Sequence, residues 1–194
     1  MKIKEIKAIY KSITLLKVLN FINLYYSFIL SRIRKKAQIH GMPMAISIEP
    51  TTACNLQCPE CPSGLKSFSR KTGNLTKELN AKIIDELAPT LNYINYYFQG
   101  EPYINPNLFD FIKYANSKKI FCSTSTNGHF LNDDNCKKTI HSGLRRLIIS
   151  IDGNDQSSYE QYRRKGEFKK VIDGVKNMNK WKAKLRSTYP HTIL

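Results

Sequence analysis

From Ala45 onward, short β-branched or aromatic runs alternate with helix-patterned segments at roughly 25–30 residues per unit. Ala45–Glu49 reads as a first strand, and a helix follows near Lys77–Leu87 with Leu79, Ile83 and Leu87 on one side. Tyr93–Gln99 and Ile120–Thr126 read as the second and third strands, with a helix over Leu108–Lys118 between them. A helix from Asp133 to His141, closed by Gly143, leads to a fourth strand at Arg146–Ile151 and a last helix over Glu167–Leu185. Such alternation predicts right-handed βα crossovers and a parallel sheet, hence an α/β fold. Four units are too few to close a barrel. A fifth apolar strand would begin at Tyr189-Pro-His-Thr-Ile-Leu194, so the chain reads as truncated or as part of a longer protein.

The loop after the first strand carries Cys54, Cys58 and Cys61 in Thr51-Thr-Ala-Cys-Asn-Leu-Gln-Cys-Pro-Glu-Cys61. The C-x3-C-x2-C spacing lets three thiolates converge from one loop and leaves the site one protein ligand short of four. A structural zinc site wants four protein ligands, and no second Cys or His pair follows nearby. A cube of iron and sulfide held by three cysteines has one iron free for another ligand. On spacing alone, zinc and three buried thiols stay open beside the cluster.

The other two cysteines, Cys122 and Cys136, fall in an apolar strand and in a helix and read as small core residues. His129, after Asn127-Gly128, receives no role. Five cysteines, three of them clustered, argue against a secreted disulfide framework and for a reducing, cytoplasmic setting.

The net charge of +16 invites a nucleic-acid reading until it is divided. Residues 1–43 hold nine Lys/Arg against Glu5 alone, and residues 163–194 hold ten against Glu167 and Asp173, which is +8 in each flank. The intervening 44–162 has twelve of each sign and is neutral. The basic flanks read as solvated faces, and no aromatic-interleaved platform argues for nucleic acid. Residues 1–43 form an expected helical extension over 3–38, interrupted by Lys17, Asn20 and Asn23 and ended by Pro43; residues 44–194 form the core domain. No small-residue cleavage site marks the N-terminus as a signal peptide. The extension is marginal in length for a membrane span. Its basic ends and Phe21, Tyr25 and Tyr26 suit contact with a membrane surface through residues 1–40; packing on the domain or on a partner is the other reading.

Four motifs, in order and each at a strand end, resemble the radical S-adenosylmethionine (radical SAM) superfamily. They are the cysteine loop 51–61, Phe98-Gln-Gly-Glu-Pro102, Ser125-Thr-Asn-Gly128, and Ser150-Ile-Asp-Gly153 with Tyr162-Arg-Arg164. The resemblance spans roughly residues 44–186 and is closest in flavour to SPASM members, which carry an auxiliary-cluster domain downstream. It implies a partial (β/α)6 radical SAM barrel with an N-terminal helical extension. It also implies an oxidoreductase-type enzyme that binds a [4Fe–4S] cluster and S-adenosylmethionine. In that family one electron from the cluster cleaves the S–C5′ bond, and the resulting 5′-deoxyadenosyl radical takes a hydrogen from the substrate. An electron donor such as a flavodoxin or ferredoxin is implied as well.

Carried over position by position, the resemblance makes Cys54, Cys58 and Cys61 the cluster ligands. Gly100 and Glu101 stand where backbone acceptors and a carboxylate meet the methionine ammonium. Ser150 and Arg163 match positions that contact the methionine carboxylate or ribose, with Arg164 one register away, and Thr126 and Asn127 offer neutral hydrogen bonds nearby. Two departures stand out. Glu60 occupies a position that is often aromatic in the family, and Gln99 stands where a second glycine is common.

Overall fold

The computed structural model describes residue 10 and residues 12–194. Its elements are α1 (Leu15–Arg34), β1 (Ala45–Ser47), α2 (Pro62–Leu65), α3 (Lys77–Leu87), β2 (Tyr93–Asn95), α4 (Leu108–Ser117) and β3 (Phe121–Thr126). There follow α5 (Asp133–His141), β4 (Arg146–Ile149), α6 (Gln156–Tyr162), α7 (Phe168–Lys184) and β5 (His191–Ile193). The five strands form one sheet in the order β1-β2-β3-β4-β5, and every pairing is parallel. A doubly wound sheet reverses its strand order at a switch point; this one never does. Sequential order with uniform crossover hand sends the crossover helices to one side, which is the winding of a barrel arc.

The pleat sorts the side chains. Ile94, Cys122, Leu147 and Ile149 are fully buried on the helix side, where Ile84, Leu108 and Ile112 meet them. The alternate positions share the opposite, concave face, because partners in a parallel ladder point the same way. That face begins with Tyr93 stacked on Phe121, with the Arg146 guanidinium near both rings, and continues through Asn95 and Ser123 to Ser125. A polar concave face opposite an apolar convex one is what a barrel interior with ligands to hold requires.

Most sequence-level elements are present with small shifts. The second strand is shorter than Tyr93–Gln99: Tyr96 still donates its N–H to the Ser123 carbonyl at 2.8 Å, and residues 97–101 then leave the ladder to build the site loop. The fifth strand does form, and its His191 pairs with Arg146 of β4. Two helices had no counterpart in the reading. The four-residue α2 starts on Pro62 directly after the last loop cysteine, and α6 is set by a capping box between Asp155 and Ser158.

The extension shows an inverted arrangement. Of the expected helix over 3–38, residues 3–9 and 11 lie outside the described residues, and α1 covers 15–34. Its polar interruptions are what it docks with. Lys17 is buried and donates from Nζ to the Lys119 carbonyl at 2.8 Å. Asn20 exchanges two hydrogen bonds with the Met42 backbone, at 2.8 and 2.9 Å. Ser27 accepts the His40 N–H and donates to the Asn23 carbonyl. Burial, with Lys119 close by, holds the Lys17 ammonium down to about 8. Most apolar residues of α1 face outward; Leu24 and Leu30 are half-buried.

Candidate functional site

The strand ends β1, β2, β3 and β4 release four loops that meet over one rim of the arc. Backbone hydrogen bonds lock them together. Glu101 N–H donates to the Ala53 carbonyl at 2.7 Å, Ser150 N–H to the Thr126 carbonyl at 2.9 Å, and Gln57 N–H to the Arg164 carbonyl at 3.0 Å. Gly100 sits at φ +75°, a left-handed conformation, and a Cβ there would lie 2.1 Å from the Thr51 carbonyl oxygen. Only glycine lets the second loop lie this close to the first.

These loops enclose a cleft of about 220 Å³. Its walls include all nine residues singled out from sequence: Cys54, Cys58 and Cys61; Gly100 and Glu101; Thr126 and Asn127; Ser150 and Arg163. Arg164 is exposed and does not line the cleft, so the register choice falls on Arg163. Glu60 is exposed and outside the cleft, whereas Tyr97 and Phe98 line it and supply aromatic surface from a different loop. A larger hollow of about 660 Å³ lies between the 128–133 loop and α7. It contains no cysteine, and the chemistry is concentrated in the smaller cleft.

The cysteine loop bears donors aimed at sulfur. Leu56 N–H points at Cys54 Sγ at 3.5 Å, and Arg163 Nη1 approaches Cys58 Sγ at 3.9 Å. Burial raises both thiols above the ordinary cysteine value. The Leu56 N–H pulls Cys54 partly back, and the Arg163 guanidinium does the same for Cys58. Arg163 is itself oriented by Asp152, at 2.5 Å from Nε.

Glu101 is 1 % exposed, and its carboxylate is held on both oxygens. Oε1 accepts from Thr126 Oγ1 at 2.8 Å and from Tyr103 N–H at 3.2 Å, while Oε2 accepts from Asn127 N–H at 2.7 Å. Desolvation raises its carboxyl to about 7 against the pull of these donors. The carboxylate thus ties the loop after β2 to the end of β3. Asn127 continues the chain of contacts, donating from Nδ2 to Asn55 Oδ1 at 2.7 Å. Ser150 Oγ stands 3.4 Å from Ser125 Oγ. His129 is structural: its Nε2 accepts the Glu167 N–H at 2.9 Å, so it buttresses the start of α7. Cys122 and Cys136 are fully buried, as a core role requires.

Three contributors escaped the sequence reading. Ser63 Oγ accepts the Gly100 N–H at 2.8 Å, Asn55 holds Asn127, and Asp152 aims Arg163. Asp152 lies inside the Ser150–Gly153 motif and faces Arg163 across eleven residues of chain, a signal that was available in the motif itself. Ser63 and Asn55 carry no pattern of their own; their roles come from loops meeting in space.

The donor set fits a cluster held by three thiolates. The sulfurs come from one loop, N–H and guanidinium donors point at two of them, and the loop is packed too tightly at Gly64 to accept a Cβ, which would lie 2.5 Å from the Cys58 backbone. Among the described residues no group of three His, Cys, Asp or Glu side chains converges to hold one metal ion. In a cube each thiolate binds a different iron, so the three need not meet at a point.

The sequence signature of the Radical SAM superfamily matches residues 48–188, most of the chain and every loop of the cleft. The chain belongs to the radical SAM superfamily. The radical SAM family comprises enzymes that bind a [4Fe–4S] cluster and S-adenosylmethionine. Among its relatives are the AdoMet-dependent heme synthase of Methanosarcina barkeri (strain Fusaro / DSM 804), 30% identical over 139 residues (71% of this chain and 40% of that protein). The mycofactocin maturase MftC of Mycobacterium ulcerans (strain Agy99) is 29% identical over 141 residues, covering 72% and 38%. The radical SAM fold is shared with native anSMEcpe with bound AdoMet, at a TM-score of 0.60 and 20% identity over 72% of this chain and 42% of that one. It is shared also with Streptococcus suis SuiB bound to S-adenosylmethionine, at 0.62 and 15% over 80% and 35%. The chain spans about two fifths of the length of the curated relatives it matches.

Proposed function

We propose that this radical SAM chain carries the cofactor half of an enzyme that reductively cleaves S-adenosylmethionine and abstracts hydrogen from a substrate. The observation that carries this reading is the convergence of four strand-end loops on one cleft lined by the three cysteines and their donors. Cys54, Cys58 and Cys61 would hold a [4Fe–4S] cluster, which when bound would supply the electron for reductive cleavage of S-adenosylmethionine.

The protein's part is to hold and shield. Cys54, Cys58 and Cys61 would serve as the cluster ligands in their thiolate form, and because burial raises the Cys54 and Cys58 thiols, loading would release protons there. The Leu56 N–H and the Arg163 guanidinium stabilise the anionic sulfurs they face. Gly100 brings backbone carbonyls to the cleft wall, where acceptors suit the methionine ammonium. Glu101 fixes the geometry of that wall, because its oxygens already hold Thr126, Tyr103 and Asn127. Ser150 and Arg163 take the carboxylate or ribose end, with Thr126 and Asn127 as neutral partners, and Asp152 keeps the Arg163 fork in place. Phe98, exposed at the mouth, offers a ring face for the adenine where Glu60 cannot.

Residues 1–43 act as an extension and 44–194 as the incomplete catalytic core. The setting is cytoplasmic, with a flavodoxin- or ferredoxin-type reductant and a SPASM-like auxiliary-cluster region as further partners. Relatives named PqqA peptide cyclase and AdoMet-dependent heme synthase support a peptide or small-molecule substrate, and an oxidoreductase-type outcome is part of the same reading.

The test is anaerobic reconstitution with iron and sulfide. About four irons and four sulfides per chain, with a visible cluster absorption lost in Cys54→Ala, Cys58→Ala and Cys61→Ala, is the expected result. Stoichiometric zinc without sulfide would replace this reading by a zinc-binding interaction module. A cluster that binds S-adenosylmethionine and never turns it over would leave a non-catalytic binding protein.

A further inference from the structure

The outward face of α1 is an apolar surface without a protein partner among the described residues. Leu15, Leu19, Phe21, Ile22, Tyr25 and Phe28 are between 47% and 74% exposed. On a helix of 3.6 residues per turn the exposed apolar positions sweep about two thirds of the circumference. The remaining third is the polar seam of Lys17, Asn20 and Ser27 that docks on the body. The orientation is therefore fixed by hydrogen bonds: turning the helix to hide its apolar face would cover the Lys119 carbonyl and the Met42 N–H and carbonyl with side chains that cannot pair with them.

Charge selects the occupant. Residues 6–48 contain no Asp or Glu and seven Lys/Arg. Arg32, Arg34, Lys35 and Lys36 are exposed at the C-terminal end of α1, and Lys2, Lys4, Lys7 and Lys11 precede it in sequence. Aromatic and aliphatic residues between two basic clusters match the headgroup–acyl boundary of an anionic bilayer. Among the described residues no helix is long and apolar enough to cross a membrane, so the matching geometry is a helix lying in the surface.

Position adds a second element. Lys17 binds the Lys119 carbonyl just before β3, and Asn20 binds Met42 just before β1, so α1 covers the end of the sheet where strands begin. The cleft stands where they end, about 20 Å away along six-residue β3.

We propose that α1 anchors the protein on an anionic lipid surface and turns the cleft away from it, toward substrate arriving from the aqueous phase. The anchoring is independent of what the cleft does; the orientation rests on the cleft being the reaction site.

Flotation of the whole chain with phosphatidylcholine vesicles, with and without phosphatidylglycerol, tests the anchor. Co-flotation with the anionic vesicles is expected, weakened by salt. Phe21→Asp, Ile22→Asp or Tyr25→Asp should each reduce partitioning on the order of tenfold while leaving the circular dichroism unchanged. Absence of flotation at low salt overturns the anchor, as does flotation indifferent to these substitutions. A concentration-dependent dimer that the same substitutions dissociate, without flotation, assigns the face to a second copy instead. Hydrogen exchange on vesicles tests the orientation: residues 15–34 should gain protection and loops 51–61 and 98–102 should not. Protection of those loops by lipid overturns it, whatever the cleft catalyses.

Discussion

Gly100 at the cleft and His129 at the start of α7 hold the chain by quite different means. At Gly100 the requirement is steric: φ is +75° and the Thr51 carbonyl fills the place of a side chain. Gly100→Ala should therefore cost about 2 kcal/mol or more and lower iron loading together with stability, read from urea midpoints and iron content. An alanine variant with wild-type midpoint and loading would contradict the packing described. At His129 the requirement is electronic, because Nε2 must stay a lone-pair acceptor for the Glu167 N–H. Burial lowers its folded-state value below 6.5. The unfolded chain then binds the extra proton first, so this contribution is present above about pH 6.5 and is lost as pH falls through the lowered value. Urea denaturation of the unloaded chain from pH 7.5 down to 5 should show His129→Gln losing less stability than wild type, as a glutamine accepts without titrating. Parallel curves would remove His129 from the α7 contact.

The three cysteines were legible as a converging trio from their spacing, whereas Gly100 and the strand-end motifs were legible only through their resemblance to the radical SAM superfamily. Asp152 was legible in hindsight, since it sits within a quoted motif opposite Arg163. Ser63 and Asn55 were not. Each meets its partner only after separate loops have packed, and a lone Ser or Asn has no periodicity to betray it.

At the level of elements, the strands and long helices follow from β-branched runs and apolar periodicity, and the sites of failure have local causes. Strand β2 ends early because residues 97–101 turn away to form the cleft wall, though the aromatic, β-like composition gives no sign of it. Helix α6 is made by a capping box rather than by an apolar stripe. Helix α1 reverses the usual logic: residues that interrupt its hydrophobic pattern are its contacts, and the pattern itself faces out. Asn20→Leu, which extends the apolar pattern yet removes two hydrogen bonds to Met42, should destabilise docking by about 1–3 kcal/mol. Hydrogen exchange should then quicken across residues 15–34 with the sheet unaffected. Unchanged protection there would mean that apolar contacts hold α1.

For the whole molecule, the sequential parallel order of five strands places every crossover on one side and leaves the polar concave face to the site. That architecture was readable from the alternation of elements, and the barrel reading was sharpened by β5, which the terminal residues supply. Catalysis by this arc is the central claim, and one measurement meets it most directly. The anaerobically reconstituted chain is mixed with S-adenosylmethionine and dithionite, and 5′-deoxyadenosine and methionine are quantified by chromatography. Equal amounts of both should accumulate with time, and the Cys58→Ala chain should form neither above the rate without protein. A fully loaded cluster that yields no 5′-deoxyadenosine, or the same yield from Cys58→Ala, would contradict the account.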